Sequence, residues 1–300
     1  MDRGGAAPVI TRLAGGLGNQ LFQYAAGKSL AEHLGAPLLL DRSHLDHPPD
    51  PGATPRSYAL DAFRIPDAIA TAEQIAELEA SRGRSGLSRR WRRMTGSDRV
   101  WHERSKHFDT GFFTLRAPVL LVGHWQCARY FEAIARPLRE QWLVPAEAPD
   151  DRNRTHAAAI AACSAPASLH VRLGDYLHDA RTAAYHGLLP QEYYAAAAEH
   201  AVERAGVDHF FVFSDEPERA AQRLRLPRPM TLVHHNSGPQ AHWDLWLMRQ
   251  CRHHIIANSS FSWWGAWLNP MPDKLVVAPR QWFADPGITH DLLPPTWTAL

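Results

Sequence analysis

Apolar residues fall into short runs along this chain, and a polar or glycine-rich stretch follows each run. Pro8 to Leu13 reads as a short strand that ends in the glycine loop Gly15-Gly16-Leu17-Gly18. Beyond it, Phe22, Ala26, Leu30 and Leu34 recur every fourth residue, which predicts a helix over 21–34 with one apolar face. Asn19 is placed to cap its start and Gly35 to end it. Pro37 to Asp41 predicts the next strand. Strand, loop, helix and strand in this order seed a parallel sheet. The stretch 42–120 is less regular. His44 to Pro55 is rich in Pro, Asp and His and reads as a loop, whereas Thr71 to Ala80 reads as a helix with Ile75 and Leu78 inward. Val119 to Val122 predicts a strand that delivers Gly123-His124-Trp125-Gln126 to a cleft, and Tyr130 to Trp142 predicts a helix.

Pro145 to Arg154, with two prolines and two consecutive aspartates, reads as a linker. After it the alternation becomes regular. Strands are predicted over 168–171, 209–213, 230–235, 254–257 and 274–278, and helices over 191–205, 217–224, 241–251 and 260–268. Such alternation indicates a doubly wound parallel sheet, whose ligands lie beyond the carboxyl ends of the strands. Arg172, Ser214-Asp215-Glu216 and Asn258-Ser259-Ser260 all fall at such ends. Two α/β domains are expected, over 1–148 and 149–300.

Composition narrows the class. A formal net charge of +1 gives no global field for nucleic acid, so no nucleic-acid partner is expected. Cys127, Cys163 and Cys251 are too few and too far apart for a disulfide framework, which suggests a reducing compartment. No apolar run spans a bilayer, and Met1 to Gly5 lacks the apolar core of an export signal, so a cytoplasmic location is expected. Arg82 to Arg93 carries six arginines around Trp91: a solvated loop, or a peripheral contact with anionic headgroups or a charged acceptor.

Three segments carry candidate chemistry. In His170-Val171-Arg172-Leu173-Gly174-Asp175-Tyr176 an arginine stands at the mouth of an apolar strand, where its planar fork suits phosphate or carboxylate. Gly174 is expected to permit a sharp turn, and Asp175 to pair with Arg172 if the corner is merely structural. In Asn258-Ser259-Ser260-Phe261-Ser262, Asn258 is expected to cap a helix whose first N–H groups and hydroxyls form an anion site. Trp263, Trp264 and Trp267 behind it are expected in the core. In the glycine loop, Leu21 stands where the dinucleotide fingerprint needs its last Gly, which argues against NAD. Neither Asp-x-Asp nor Cys-x-x-Cys nor His-Glu-x-x-His occurs, so no metal is expected.

In order and spacing, Gly15-Gly16-Leu17-Gly18-Asn19-Gln20, His170-Val171-Arg172-Leu173-Gly174-Asp175-Tyr176 and Asn258-Ser259-Ser260-Phe261-Ser262-Trp263-Trp264 together resemble the α-1,2-fucosyltransferases, glycosyltransferase family 11, over roughly residues 8–280. The resemblance implies a GT-B arrangement of two facing Rossmann-like domains. The carboxyl half would hold GDP-fucose, and the amino half the glycine loop and most of the acceptor surface. It implies that Arg172 contacts the β-phosphate, although Leu173 stands where the family often has a second arginine. It further implies that Gly16, Gly18, Asn19 and Gln20 line the diphosphate, that His170 lies near the base, and that Asp244 reads guanine. Asp215 resembles the acid of a further motif and is expected to position the phosphate-binding elements, while Ser259, Ser260, Phe261 and Ser262 complete the donor site. The implied reaction is inverting, metal-independent transfer of L-fucose to the 2-hydroxyl of a galactose-terminated oligosaccharide. One displacement of this kind needs one base. Asp175 is the first candidate, ahead of His178 and Asp179, although the neighbouring Arg172 should depress its pKa. Two rivals stand: a related GDP-sugar transferase with another donor or a protein acceptor, and a non-catalytic GDP-sugar or glycan-binding module.

Overall fold

The computed structural model describes residues 6–47, 56–80, 99–174 and 184–300. The arginine-rich 82–93 segment and the base candidates Asp175, His178 and Asp179 lie outside the described residues. The chain divides into two compact units: 1–143 with His290–Leu292, and 144–289 with Leu293–Leu300.

Unit 1 carries a parallel sheet of β1 (Val9–Arg12), β2 (Leu38–Asp41), β3 (Ala68–Ile69), β4 (Val100–His102) and β5 (Val119–Val122), in the order β3-β2-β1-β5-β4. The first helix, α1, runs from Leu17 to Leu34, one turn earlier than its periodicity predicts. Gly16 is the extended residue at its N-cap position, so Asn19 lies inside the first turn and caps nothing. The helix is buried nearly all round, from Gln20 to Ala31, which explains why a single apolar stripe understates it. Gly35 ends it at φ 60°, with its N–H on the carbonyls of Ala31 and Glu32. Helix α2 (Ala72–Ala80) opens with a reciprocal capping pair between Thr71 and Gln74, and buries Leu78. The helix expected over 130–142 is a chain of short turns instead, over Ala128–Tyr130, Glu132–Ile134, Ala135–Pro137 and Leu138–Trp142. Pro137 lacks an N–H and collides with the preceding turn, so a regular helix cannot pass through it.

Unit 2 carries β6 (Pro166–Val171), β7 (His209–Ser214), β8 (Met230–Val233), β9 (His253–Ile255), β10 (Val276–Ala278) and β11 (Thr298–Ala299), again all parallel. The order β11-β10-β9-β6-β7-β8 is that of the dinucleotide-binding fold, with β6 and β9 at the point where the winding reverses. All six residues of β6 are buried, as an interior parallel strand covered on both faces requires. Helix α3 (Asp151–Ala161) begins inside the expected linker, because the Asp150 carboxylate accepts the Asn153 N–H at 2.8 Å. Helix α4 (Gln191–Ala205) lays Tyr194, Ala197, Ala198 and Ala201 against the sheet at helical spacing. Helices α5 (Pro217–Arg223), α6 (His242–Met248) and α7 (Ser260–Leu268) complete the unit, and α6 packs on α7. Trp263, Trp264 and Trp267 are buried together beneath α7.

Candidate functional site

In each unit the crevice belongs where the winding reverses: between the carboxyl ends of β6 and β9 in unit 2, and of β1 and β5 in unit 1. In unit 2 the register pairs Leu169 with Ile255. Three residues past that pair stand Arg172 on one strand and Asn258 on the other. The His170 ring lies 5.6 Å from that of Phe261, tying the end of β6 to the first turn of α7.

Arg172 pairs with Asp215, which follows β7, at 3.0 Å. The same carboxylate accepts the N–H groups of Leu173 and Gly174, each at 2.9 Å. Asp215 therefore fixes the loop after β6 at three points. Gly174 is needed for this approach rather than for a turn of special φ: a Cβ there would sit 2.6 Å from Asp215 Oδ2. Arg172 is about a quarter exposed, so its guanidinium is held by Asp215 and still reaches solvent. His170 is buried, and its Nδ1 has no hydrogen-bond partner among the described residues. Burial lowers its pKa to about 4; Asp215 opposes that shift and Arg172 adds to it. The ring is neutral at pH 7.

The second segment corrects the expected cap. Ser259, not Asn258, is the N-cap residue of α7, and no side chain caps that helix. Asn258 turns its amide to the carbonyls of His186 (2.8 Å), Gly187 (3.1 Å) and Trp282 (3.3 Å), because it is buried among backbone acceptors that need donors. Ser262 is buried, and its hydroxyl donates to the carbonyls of Ala257 and Ser259, so it offers no hydroxyl to a ligand. What remains at the start of α7 is the backbone of Ser259, Ser260 and Phe261 with the positive end of the helix dipole behind it.

Asp244 lies in α6 and is buried, not a surface acid. Burial raises its pKa to about 7, against the lowering effect of the Asn236 amide that donates to it at 2.9 Å. Asn236 continues through Asn153 to Asp150 at the start of α3. The hydrogen bonding of Asp244 thus runs toward α3 and not to Arg172.

In unit 1 the glycine loop and the loop after β5 meet through Gln126, whose amide donates to Asn19 Oδ1 at 2.9 Å. The Gln20 side chain donates to the carbonyls of Gly15 and Ser57 and accepts the Ala59 N–H, so it braces unit 1 from within. Gly16 has open space where a Cβ would stand, while Gly18 is buried. One residue passes unnoticed in the sequence. Glu103, just after β4, accepts the N–H groups of His124 and Trp125, each at 2.9 Å. It holds Trp125 at φ 56°, the left-handed region that a bulky side chain rarely enters. Burial, with Lys106 adding, lowers the pKa of His124 to about 4. Among the described residues no cluster of three His, Cys, Asp or Glu could hold a metal ion, and no helix is long and apolar enough to cross a membrane.

Residues 119–300 match the model of glycosyl transferase family 11. An α-1,2-colitosyltransferase of Escherichia coli is 30% identical over 295 residues, covering 97% of this chain and 98% of that protein. The O-antigen biosynthesis glycosyltransferase WbnK of Escherichia coli is 30% identical over 285 residues, covering 91% and 94%. Among solved structures, the fucosyltransferase NodZ of Bradyrhizobium aligns with a TM-score of 0.47 at 16% identity, over 87% of this chain and 92% of that one.

Proposed function

The chain belongs to glycosyl transferase family 11 and is a glycosyltransferase, and from that premise we propose that it moves L-fucose from GDP-fucose to the 2-hydroxyl of a terminal galactose in glycan or polysaccharide biosynthesis. The observation that carries the reading is the Arg172 guanidinium, held by Asp215 at the end of β6, with the start of α7 following the neighbouring β9 at the reversal point of the sheet. As the sugar–phosphate bond breaks, negative charge collects on the departing diphosphate. A fixed cation and a helix start answer that charge without a metal ion. The acceptor oxygen attacks the anomeric carbon from the face opposite the diphosphate, inverting it, and a base takes the hydroxyl proton. Asp175 remains the residue proposed for that step. His170 and Asp244 are proposed to contact the guanine.

A second reading concerns the donor. A colitosyltransferase with 30% identity over nearly the whole chain favours GDP-colitose, whose sugar is fucose without its 3-hydroxyl. Release of GDP from GDP-fucose, GDP-colitose and GDP-mannose, with lactose, lacto-N-biose and N-acetyllactosamine as acceptors, separates these readings. Turnover with GDP-fucose that survives EDTA is expected. Turnover only with GDP-colitose gives the second reading, and loss in EDTA that magnesium restores overturns the metal-free one.

A further inference from the structure

Two asparagines link the buried Asp244 of α6 to the start of α3. Their amides face each other head to tail. Asn236 Nδ2 donates to Asn153 Oδ1 at 2.9 Å, and Asn153 Nδ2 donates to Asn236 Oδ1 at 3.1 Å. Each amide has one further N–H, and each directs it at a carboxylate: Asn236 at Asp244 Oδ1 and Asn153 at Asp150 Oδ1, both at 2.9 Å. His235 Nε2 lies 3.1 Å from Asn153 Oδ1, and the His235 ring stacks on that of His156 in α3, 4.8 Å between centroids. The two ends fix the direction of the chain. An ionised carboxylate only accepts, so reversing either amide would set a carbonyl oxygen against it. Asn236, half-buried beyond the end of β8, therefore has one orientation. The consequence falls on Asp244. An ionised carboxylate offers about four acceptor positions. Asn236 takes one of them on Oδ1, and Oδ2 has no hydrogen bond among the described residues. The terminal torsion of an aspartate is broad, so a carboxylate without this bond could turn its plane. The Asn236 amide removes that freedom, and it favours the charged carboxylate against the burial that opposes it. Held in this way, Asp244 keeps acceptor positions on both oxygens for a flat ligand edge that carries two adjacent N–H donors.

We propose that Asn236, braced by Asn153, is a positioning residue that sets the plane of the Asp244 carboxylate, and thereby governs discrimination between guanine and a base that lacks the 2-amino group. This rests on the reading of Asp244 as a guanine contact. A tie that only joined α3 to α6 would change stability, or the binding of all nucleotides alike, and would leave discrimination untouched. The test measures by calorimetry the affinity of the full chain for GDP and for IDP, whose hypoxanthine keeps N1–H and lacks the 2-amino group. The wild type is expected to prefer GDP by roughly tenfold or more, the worth of one hydrogen bond to a charged group. Asn236→Ala is expected to reduce that preference to about threefold or less, because GDP loses more affinity than IDP. Asn153→Ala leaves the bond between Asn236 and Asp244 in place and removes only its brace, so it should reduce the preference by a smaller factor. Asp244→Asn sets the floor, with the preference close to one. A wild-type preference in Asn236→Ala, together with its loss in Asp244→Asn, overturns the positioning role and leaves the guanine contact standing. A preference that survives Asp244→Asn, or a wild type with none, removes the guanine contact and the positioning role with it. Should Asn236→Ala fail to fold, Asn153→Ala decides in its place, and an unchanged preference there overturns the proposal.

Discussion

The loops after β5 in unit 1 and after β6 in unit 2 are held by the same device. In each, a carboxylate at the end of a neighbouring strand accepts two consecutive backbone N–H groups: Glu103 those of His124 and Trp125, Asp215 those of Leu173 and Gly174. In each, a glycine makes room, since a Cβ on Gly123 would collide with Glu103 and one on Gly174 with Asp215. In each, a histidine at the loop has a buried Nδ1 that is unpartnered among the described residues. The difference is Arg172. Asp215 grips a guanidinium as well as the backbone, so its loop presents positive charge, whereas Glu103 grips only neutral N–H groups and the Trp125 ring of its loop is buried against Phe112 and Tyr130. One scaffold solution thus holds two loops of different charge.

Arg172→Ala tests the distinguishing feature. It should cost about 10²–10³ in turnover, or roughly 2.7–4 kcal/mol of transition-state stabilisation. Circular dichroism should be unchanged, because Asp215 keeps its two backbone bonds. Turnover near the wild-type level would erase the contrast between the loops. Asp215→Ala should cost about tenfold to a hundredfold, since it releases the guanidinium and both N–H groups at once. Gly174→Ala should approach that loss through a different route, by pushing the carboxylate away. If Gly174→Ala were silent, the three-point grip of Asp215 would not matter to the reaction.

Glu103→Gln tests the shared feature in the loop that lacks the arginine. A side-chain amide has one acceptor where the carboxylate has two, so one buried N–H loses its partner at a cost of about 1–3 kcal/mol. Chemical denaturation should register that loss, with acceptor KM raised and GDP affinity unchanged. A variant that instead weakened GDP binding would mean that the two loops do not divide the work as their charges suggest.

Local pattern carried far in this chain, and its failures have physical reasons. The interior strands were legible because parallel strands covered on both faces are mostly apolar, as in β6 and β7. That also located Arg172 and Asn258 at strand ends. Strands β3, β4 and β11 were missed; all are short and lie at sheet edges, where little apolar surface is needed. The side-chain assignments failed where the partner is remote in sequence. Asn258 looks like a cap, yet its acceptors come from His186, Gly187 and Trp282. Gln20 looks like a ligand contact, yet it is fastened to Ser57 and Ala59. Glu103 gives no local signal at all, because its meaning lies 21 and 22 residues away, in His124 and Trp125.

The smallest effect compares the two histidines directly. His124 and His170 each have a pKa lowered from 6.5 to about 4, mainly by burial. The unfolded chain therefore binds protons that the folded one refuses. Stability from each site is complete above pH 6.5 and is lost as the pH falls toward 4. At pH 6 the loss per site is under about 1 kcal/mol. Asp244 acts in the opposite sense: its folded pKa of about 7 exceeds the ordinary 3.8, so it costs stability as the pH rises between them. Measuring His124→Gln and His170→Gln against the wild type at pH 7.5 and 6 cancels that contribution, since Asp244 is common to all three. Each variant should lose less stability than the wild type on going to pH 6, and by similar amounts, because desolvation dominates both sites. If His170→Gln alone had the effect, desolvation would not govern both sites alike, and the likeness of the two loops would stop at their backbones.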